Sequence, residues 1–95
     1  MWGQLFTLDG FALEQNSPNP FTTSTEIRFS IPYDCNVQLK LFNSMGAEIK
    51  TLIDTDMPAG NQNIILSSNN LSSGIYFYQL KAGLFIETKT LIINK

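Results

Sequence analysis

The chain of 95 residues contains no histidine at all and one cysteine, Cys35. Without an imidazole or a second thiol, the usual nucleophile-and-base arrangements, a structural zinc site and an intrachain disulfide cannot be assembled. Stability must therefore come from packing. Charge is also scarce: charged residues are 15% of the chain, against roughly 25% in an average domain. The six Lys and Arg residues are scattered and the net charge is -2, which argues against a nucleic-acid partner, since phosphate binding needs basic residues gathered on one face. No run approaches the ~18 apolar residues of a membrane-spanning helix. The start, Met1-Trp2-Gly3-Gln4, lacks the charged and apolar regions of an export signal peptide. Low charge combined with Asn-rich turns nevertheless has an extracytoplasmic character. The expectation is a piece of a longer protein whose own export signal lies upstream.

What is present is a series of short alternating segments. The most apolar is Gly74-Ile75-Tyr76-Phe77-Tyr78-Gln79-Leu80, which puts Tyr76, Tyr78 and Leu80 on one face and Ile75, Phe77 and Gln79 on the other, as in a central strand covered on both faces or nearly so. Gly83 permits a tight return into Leu84-Phe85-Ile86, making the last two strands a hairpin. Ile27, Phe29 and Ile31 alternate with Arg28 and Ser30, and Val37, Leu39 and Leu41 alternate with Gln38 and Lys40. Asn43-Ser44-Met45-Gly46 reads as a hairpin turn with Gly46 at positive φ. From Ala47 to Ile53 the pattern continues with Leu52 out of phase, which predicts a bulge or a covered edge. A loop over 54–60 and a strand around Gln62, Ile64 and Leu66 complete the reading. No helical period of useful length occurs, and about seven short strands with turn signals between them predict an all-β, immunoglobulin-like antiparallel β-sandwich.

Residues 1–10 read as a linker or a residual passenger segment, closed by Asp9-Gly10, and the domain as 11–95. Phe11 to Leu13 opens with a short strand. In the following Gln15-Asn16-Ser17-Pro18-Asn19-Pro20-Phe21, two prolines fix φ and remove donors, so the stretch is a rigid loop or sheet edge anchored by an inward Phe21.

No residue qualifies as catalytic, cofactor-binding or metal-ligating. Asp54 and Asp56 form the nearest carboxylate pair, a spacing more typical of solvated loop residues than of acid-base work or calcium binding. Cys35 reads as a half-buried small residue rather than a redox centre. Tyr76, Phe77 and Tyr78 suit core packing better than sugar stacking, and the Asn70-Leu71-Ser72 sequon is a short match in an Asn- and Ser-rich chain.

Taken together, several blocks resemble one family. Phe11-x-Leu13-x-Gln15-Asn16-x-Pro18-Asn19-Pro20-Phe21, followed by Ser24-Thr25-Glu26-Ile27-Arg28-Phe29-Ser30-Ile31-Pro32, looks like the opening of the type A C-terminal sorting domain of the type IX (Por) secretion system. The blocks from Val37 to Leu52, Ala59-Gly60, Leu71 to Leu80, and Lys89-x-Leu91-Ile92-Ile93-x-Lys95 are similar to its later parts, in register. Ser17, Gln62 and Leu66 depart from it, where an aromatic, a histidine and a tryptophan are common.

The resemblance implies a domain at the extreme C-terminus of proteins exported by certain Gram-negative bacteria. Its partners would be an upstream cargo in the same chain, the type IX outer-membrane translocon and a sortase-like peptidase. Its path would run through the periplasm to the cell surface or medium. No cofactor, no enzymatic activity and a monomeric state are expected. The candidate features for translocon recognition are the Pro18-Asn19-Pro20 loop, Gly74 and Tyr76 at the start of the signature strand, and the terminal strand with Lys89 and Lys95. The terminal strand is expected to offer unpaired backbone and positive charge. The alternative is an immunoglobulin-like accessory module, carbohydrate-binding or similar to the flagellar hook-cap domain. A sorting domain must end its protein, and Asn94-Lys95 close this chain directly after the last strand.

Overall fold

The computed structural model describes residues 9–95, so most of the expected 1–10 linker lies outside the described residues. Seven strands follow in order: β1 (Ala12–Leu13), β2 (Ser24–Ile31), β3 (Cys35–Asn43), β4 (Glu48–Met57), β5 (Gly60–Ser67), β6 (Gly74–Ala82) and β7 (Phe85–Ile93). They form a three-stranded sheet ordered β1-β2-β5 and a four-stranded sheet ordered β4-β3-β6-β7. Every ladder is antiparallel. This is the predicted sandwich.

The period-two patterns select the core. Ile27, Phe29 and Ile31 from β2 meet Val37, Leu39 and Leu41 from β3, Tyr76, Tyr78 and Leu80 from β6, and Leu91 and Ile93 from β7, all buried. Each such side chain contributes about 1.5–3 kcal/mol through removal from water, which is how a chain with a single cysteine closes its fold. Phe11 stacks on Phe85 with ring centroids 5.1 Å apart and meets Tyr33 edge-on at 5.5 Å, sealing the sandwich where the described chain begins. Gly83 has φ +58, so the β6–β7 hairpin needs glycine for its left-handed conformation.

Two expectations are corrected. Asp54, Thr55 and Asp56 belong to β4 rather than to a loop, pairing with Gln38, Val37 and Asn36. Their polar character follows from position, because β4 is an edge strand and its exposed side chains face water. Leu52 is the residue skipped where the register shifts between Leu39 and Lys40, the predicted bulge. The second correction concerns β6, which has no layer over its outer face. Ile75 is 50% exposed, and Phe77 is half-buried beside its cross-strand neighbours Phe42 and Thr90.

The antiparallel registers give the molecule two distinct ends. Gly10, the 32–34 turn, the Pro58-Ala59 turn and the Gly83-Leu84 hairpin gather at the end where residues 1–8 join. The 18–23 segment, the turn after Asn43, the 68–73 loop and Asn94-Lys95 gather at the far end.

Candidate functional site

The far end is built around the Gln15-to-Thr22 stretch, which passes from one sheet to the other. Ser17 pairs with Glu26 of β2, and four residues later Phe21 pairs in parallel with Ile93 of β7. Two cis peptide bonds, Ser17-Pro18 and Asn19-Pro20, lie between them. Phe21 is 3% exposed, the inward anchor that the sequence predicts.

A buried polar network fixes this crossing. Asn16, 2% exposed, donates from Nδ2 to Thr25 Oγ1 at 3.0 Å and to the Pro18 carbonyl at 3.2 Å, and Thr25 Oγ1 donates to the same carbonyl at 2.8 Å. Tyr78 reaches across from β6. Its hydroxyl donates to the Glu14 carbonyl at 2.7 Å and accepts from Asn16 N–H at 2.8 Å. Burial is the main cause that pushes the Tyr78 hydroxyl up to about 12. Among the described residues no buried side-chain polar atom lacks a partner, the condition under which a buried network rigidifies a fold.

The same stretch covers the outer edge of β7. Gln15 Nε2 donates to Thr90 O at 2.6 Å, Asn19 Oδ1 accepts from Ile92 N–H at 2.9 Å, and Phe21 exchanges backbone bonds with Ile92 and Asn94. Thr22 Oγ1 adds a bond to Asn94 O at 3.0 Å. The expectation that the terminal strand offers unpaired backbone at its end is thus corrected. Those groups are already taken, because the proline segment lies against them as a short parallel neighbour.

Pro18, Asn19 and Pro20 are exposed at this crossing. Gly74 pairs with Ile93 and has φ 151, a region disfavoured for side chains. Lys95 N–H donates to Ser73 Oγ at 2.9 Å, so the chain end, Gly74 and the proline segment share one end of the sandwich. Tyr76 points inward, 6% exposed, and its hydroxyl donates to Ser72 O at 2.7 Å, shaping the 68–73 loop rather than presenting a ring to solvent. Lys89 stands apart in mid-strand, paired with Glu87 at 3.0 Å.

Asn16, Thr25 and Ser68 are the structural determinants that sequence reading passes over. Ser68 Oγ donates to Thr22 O at 2.6 Å and its N–H to Thr23 O at 2.9 Å, tying the 68–73 loop to the proline segment. Spacing gives no signal for them, since a buried Asn or Ser next to turn residues looks like an ordinary turn former.

Elsewhere the chemistry is sparse. Asp56 accepts a bond from Asn36 and Asp34 one from the Ala59 N–H. Cys35 is half-buried, its thiol pushed up by burial first and then by Asp34 and Asp56, the opposite of a reactive thiolate. On the outer face of the three-stranded sheet, Glu26 accepts from Asn63 at 2.6 Å and from Arg28 at 3.1 Å. The Asn63 bond chiefly holds its carboxyl below the usual range.

The family model described as "Secretion system C-terminal sorting domain" matches residues 17–94, nearly the whole described chain. No curated protein matches.

Proposed function

Because the chain belongs to the family of secretion system C-terminal sorting domains, we propose that it is the export signal of an upstream cargo, read by the type IX translocon in the periplasm and carried to the cell surface or medium. The observation that carries this reading is the family match over 17–94. The geometry supports it. A translocon that serves unrelated cargoes must read a surface no cargo covers, and the far end lies opposite the point where the upstream chain joins.

On this reading, Pro18, Asn19, Pro20, Gly74 and Lys95 make the contact surface. Asn16, Thr25, Tyr76 and Tyr78 hold it in shape, so docking costs little ordering entropy. Lys89 lies outside that surface, paired with Glu87 in mid-strand. The domain works as a folded, monomeric binding surface without cofactor or catalysis. A sortase-like peptidase then cuts on the N-terminal side of Phe11, since Phe11 is 8% exposed and stacked on Phe85, whereas a peptidase needs an accessible extended segment.

Removing residues 11–95 from the native gene tests the proposal by necessity. The shortened protein should accumulate folded in the periplasm, and its appearance at the surface or in the medium at the normal level would refute the role.

A further inference from the structure

The four sheet edges are not treated alike. β1 spans only Ala12–Leu13. β4 carries Glu48, Lys50, Asp54 and Asp56 and two register irregularities, both devices that discourage strand addition. The edge of β7 is covered from Thr90 to Asn94 by Gln15, Asn19, Phe21 and Thr22. That leaves a short stretch around Ile86 and Thr88, beside the Glu87–Lys89 pair. β5 has none of these protections. Its sequence, Gly60-Asn61-Gln62-Asn63-Ile64-Ile65-Leu66-Ser67, contains no charge and no proline, and its ladder to β2 runs unbroken from Ser24↔Ser67 to Ile31↔Gly60.

Parity identifies the groups left open. β2 turns Glu26 and Arg28 toward the β1 side, where they bond Ser17 and Glu14, so its odd-numbered residues face β5. Thr25, Ile27 and Phe29 therefore bond Leu66, Ile64 and Gln62, and the backbones of Asn61, Asn63, Ile65 and Ser67 point outward. No backbone group of these four bonds any described residue across that edge. Ile65 is 65% exposed.

We infer that the outer edge of β5 is a strand-addition site that takes an extended, uncharged segment of the export machinery; this rests on the sorting reading above. Two features select that occupant. β5 presents open backbone and no charged side chain, which suits pairing with an extended, uncharged strand, and it lies in the domain rather than in the cargo, so it is the same for every client. The edge is also continuous with the far end, because Ser68, immediately after β5, bonds Thr22 and Thr23 of the proline segment. A partner seated on the proline loop meets this edge next.

The test uses a reporter fused to residues 11–95 in a host carrying the type IX machinery, comparing the wild-type fusion with Ile65→Lys, Ile65→Pro and, as a control, Ile75→Lys on the opposite sheet. Both Ile65 changes spare the β2 ladder, and the lysine variant keeps every backbone donor, so at least that variant should melt as the wild type does. Export of Ile65→Pro should fall by roughly tenfold, the scale of losing one or two main-chain hydrogen bonds from a binding equilibrium, and export of Ile65→Lys should fall several-fold because a charge on the edge opposes strand addition, while Ile75→Lys exports normally. Folded Ile65 variants that export like the wild type, or an equal loss in Ile75→Lys, overturn the edge assignment and leave the sorting reading standing. A wild-type fusion that stays in the periplasm overturns both. Sedimentation that finds a wild-type dimer dissolved by Ile65→Lys, with export unchanged, assigns the edge to a second copy of the chain instead.

Discussion

Tyr78 is the residue in which the core and the far end meet. Its ring is fully buried and its hydroxyl bonds Glu14 O and Asn16 N–H across the sandwich. Tyr78→Phe keeps the ring and strands both backbone groups, which should cost about 1–3 kcal/mol, measured by urea unfolding. The same hydroxyl makes stability depend on alkaline pH. Its folded value is raised to about 12, above about 10 in the unfolded chain, so the folded state keeps a proton that the unfolded state loses. The contribution is complete below pH 10 and disappears between 10 and 12; Tyr78→Phe should flatten that part of the profile relative to the wild type. Sequence alone makes Tyr78 legible as a core residue by alternation. Its hydrogen-bonding partners are not legible, because they lie 62 and 64 positions away.

At the scale of elements, β7 is held on both sides: by β6 through nine paired residues from Gly74↔Ile93 to Ala82↔Phe85, and by the proline segment on its outer edge. Phe21 is the hinge pin of that second contact. Phe21→Ala should cost about 3–5 kcal/mol, while Asn19→Ala, which removes one exposed bond to Ile92, should cost about 1 kcal/mol, both read from thermal melts. Removing 91–95 takes away Leu91 and Ile93, exposed by 0% and 2%. With a total stability of about 5–15 kcal/mol, such a truncation should not fold. Removing Asn94 and Lys95 alone spares the core and should leave a folded domain by circular dichroism, so only this shorter deletion separates recognition from folding. The strand periods of β2 and β3 are legible because each has a buried face and a wet face, whereas β6, apolar on both faces, is legible as a strand but not for which face is wet. β4 is legible only to Ile53, since an exposed edge strand with Asp54 and Asp56 has the composition of a loop.

For the whole molecule, the all-β sandwich follows from alternation and from the lack of any helical period, and the family blocks are legible as combined spacing rather than as any single motif. What does not follow from spacing is which pieces meet. Pro18 to Pro20, Gly74 and Lys95 come together at the far end only because the chain changes sheet between Ser17 and Phe21. Lys89, read as part of the same surface, lies instead beside Glu87 in mid-strand. The sandwich thereby holds Gly10, where residues 1–8 join, at one end and the cross-braced proline segment with Gly74 and Lys95 at the other.

The most direct measurement of sufficiency is transfer of an unrelated folded reporter, carrying its own inner-membrane export signal and fused to residues 11–95, between isogenic hosts with and without a type IX translocon. The fusion should reach the surface or medium only where the translocon is present, and should remain in the periplasm in its absence. Equal release from both hosts, or periplasmic retention in both with the domain folded, would contradict the account.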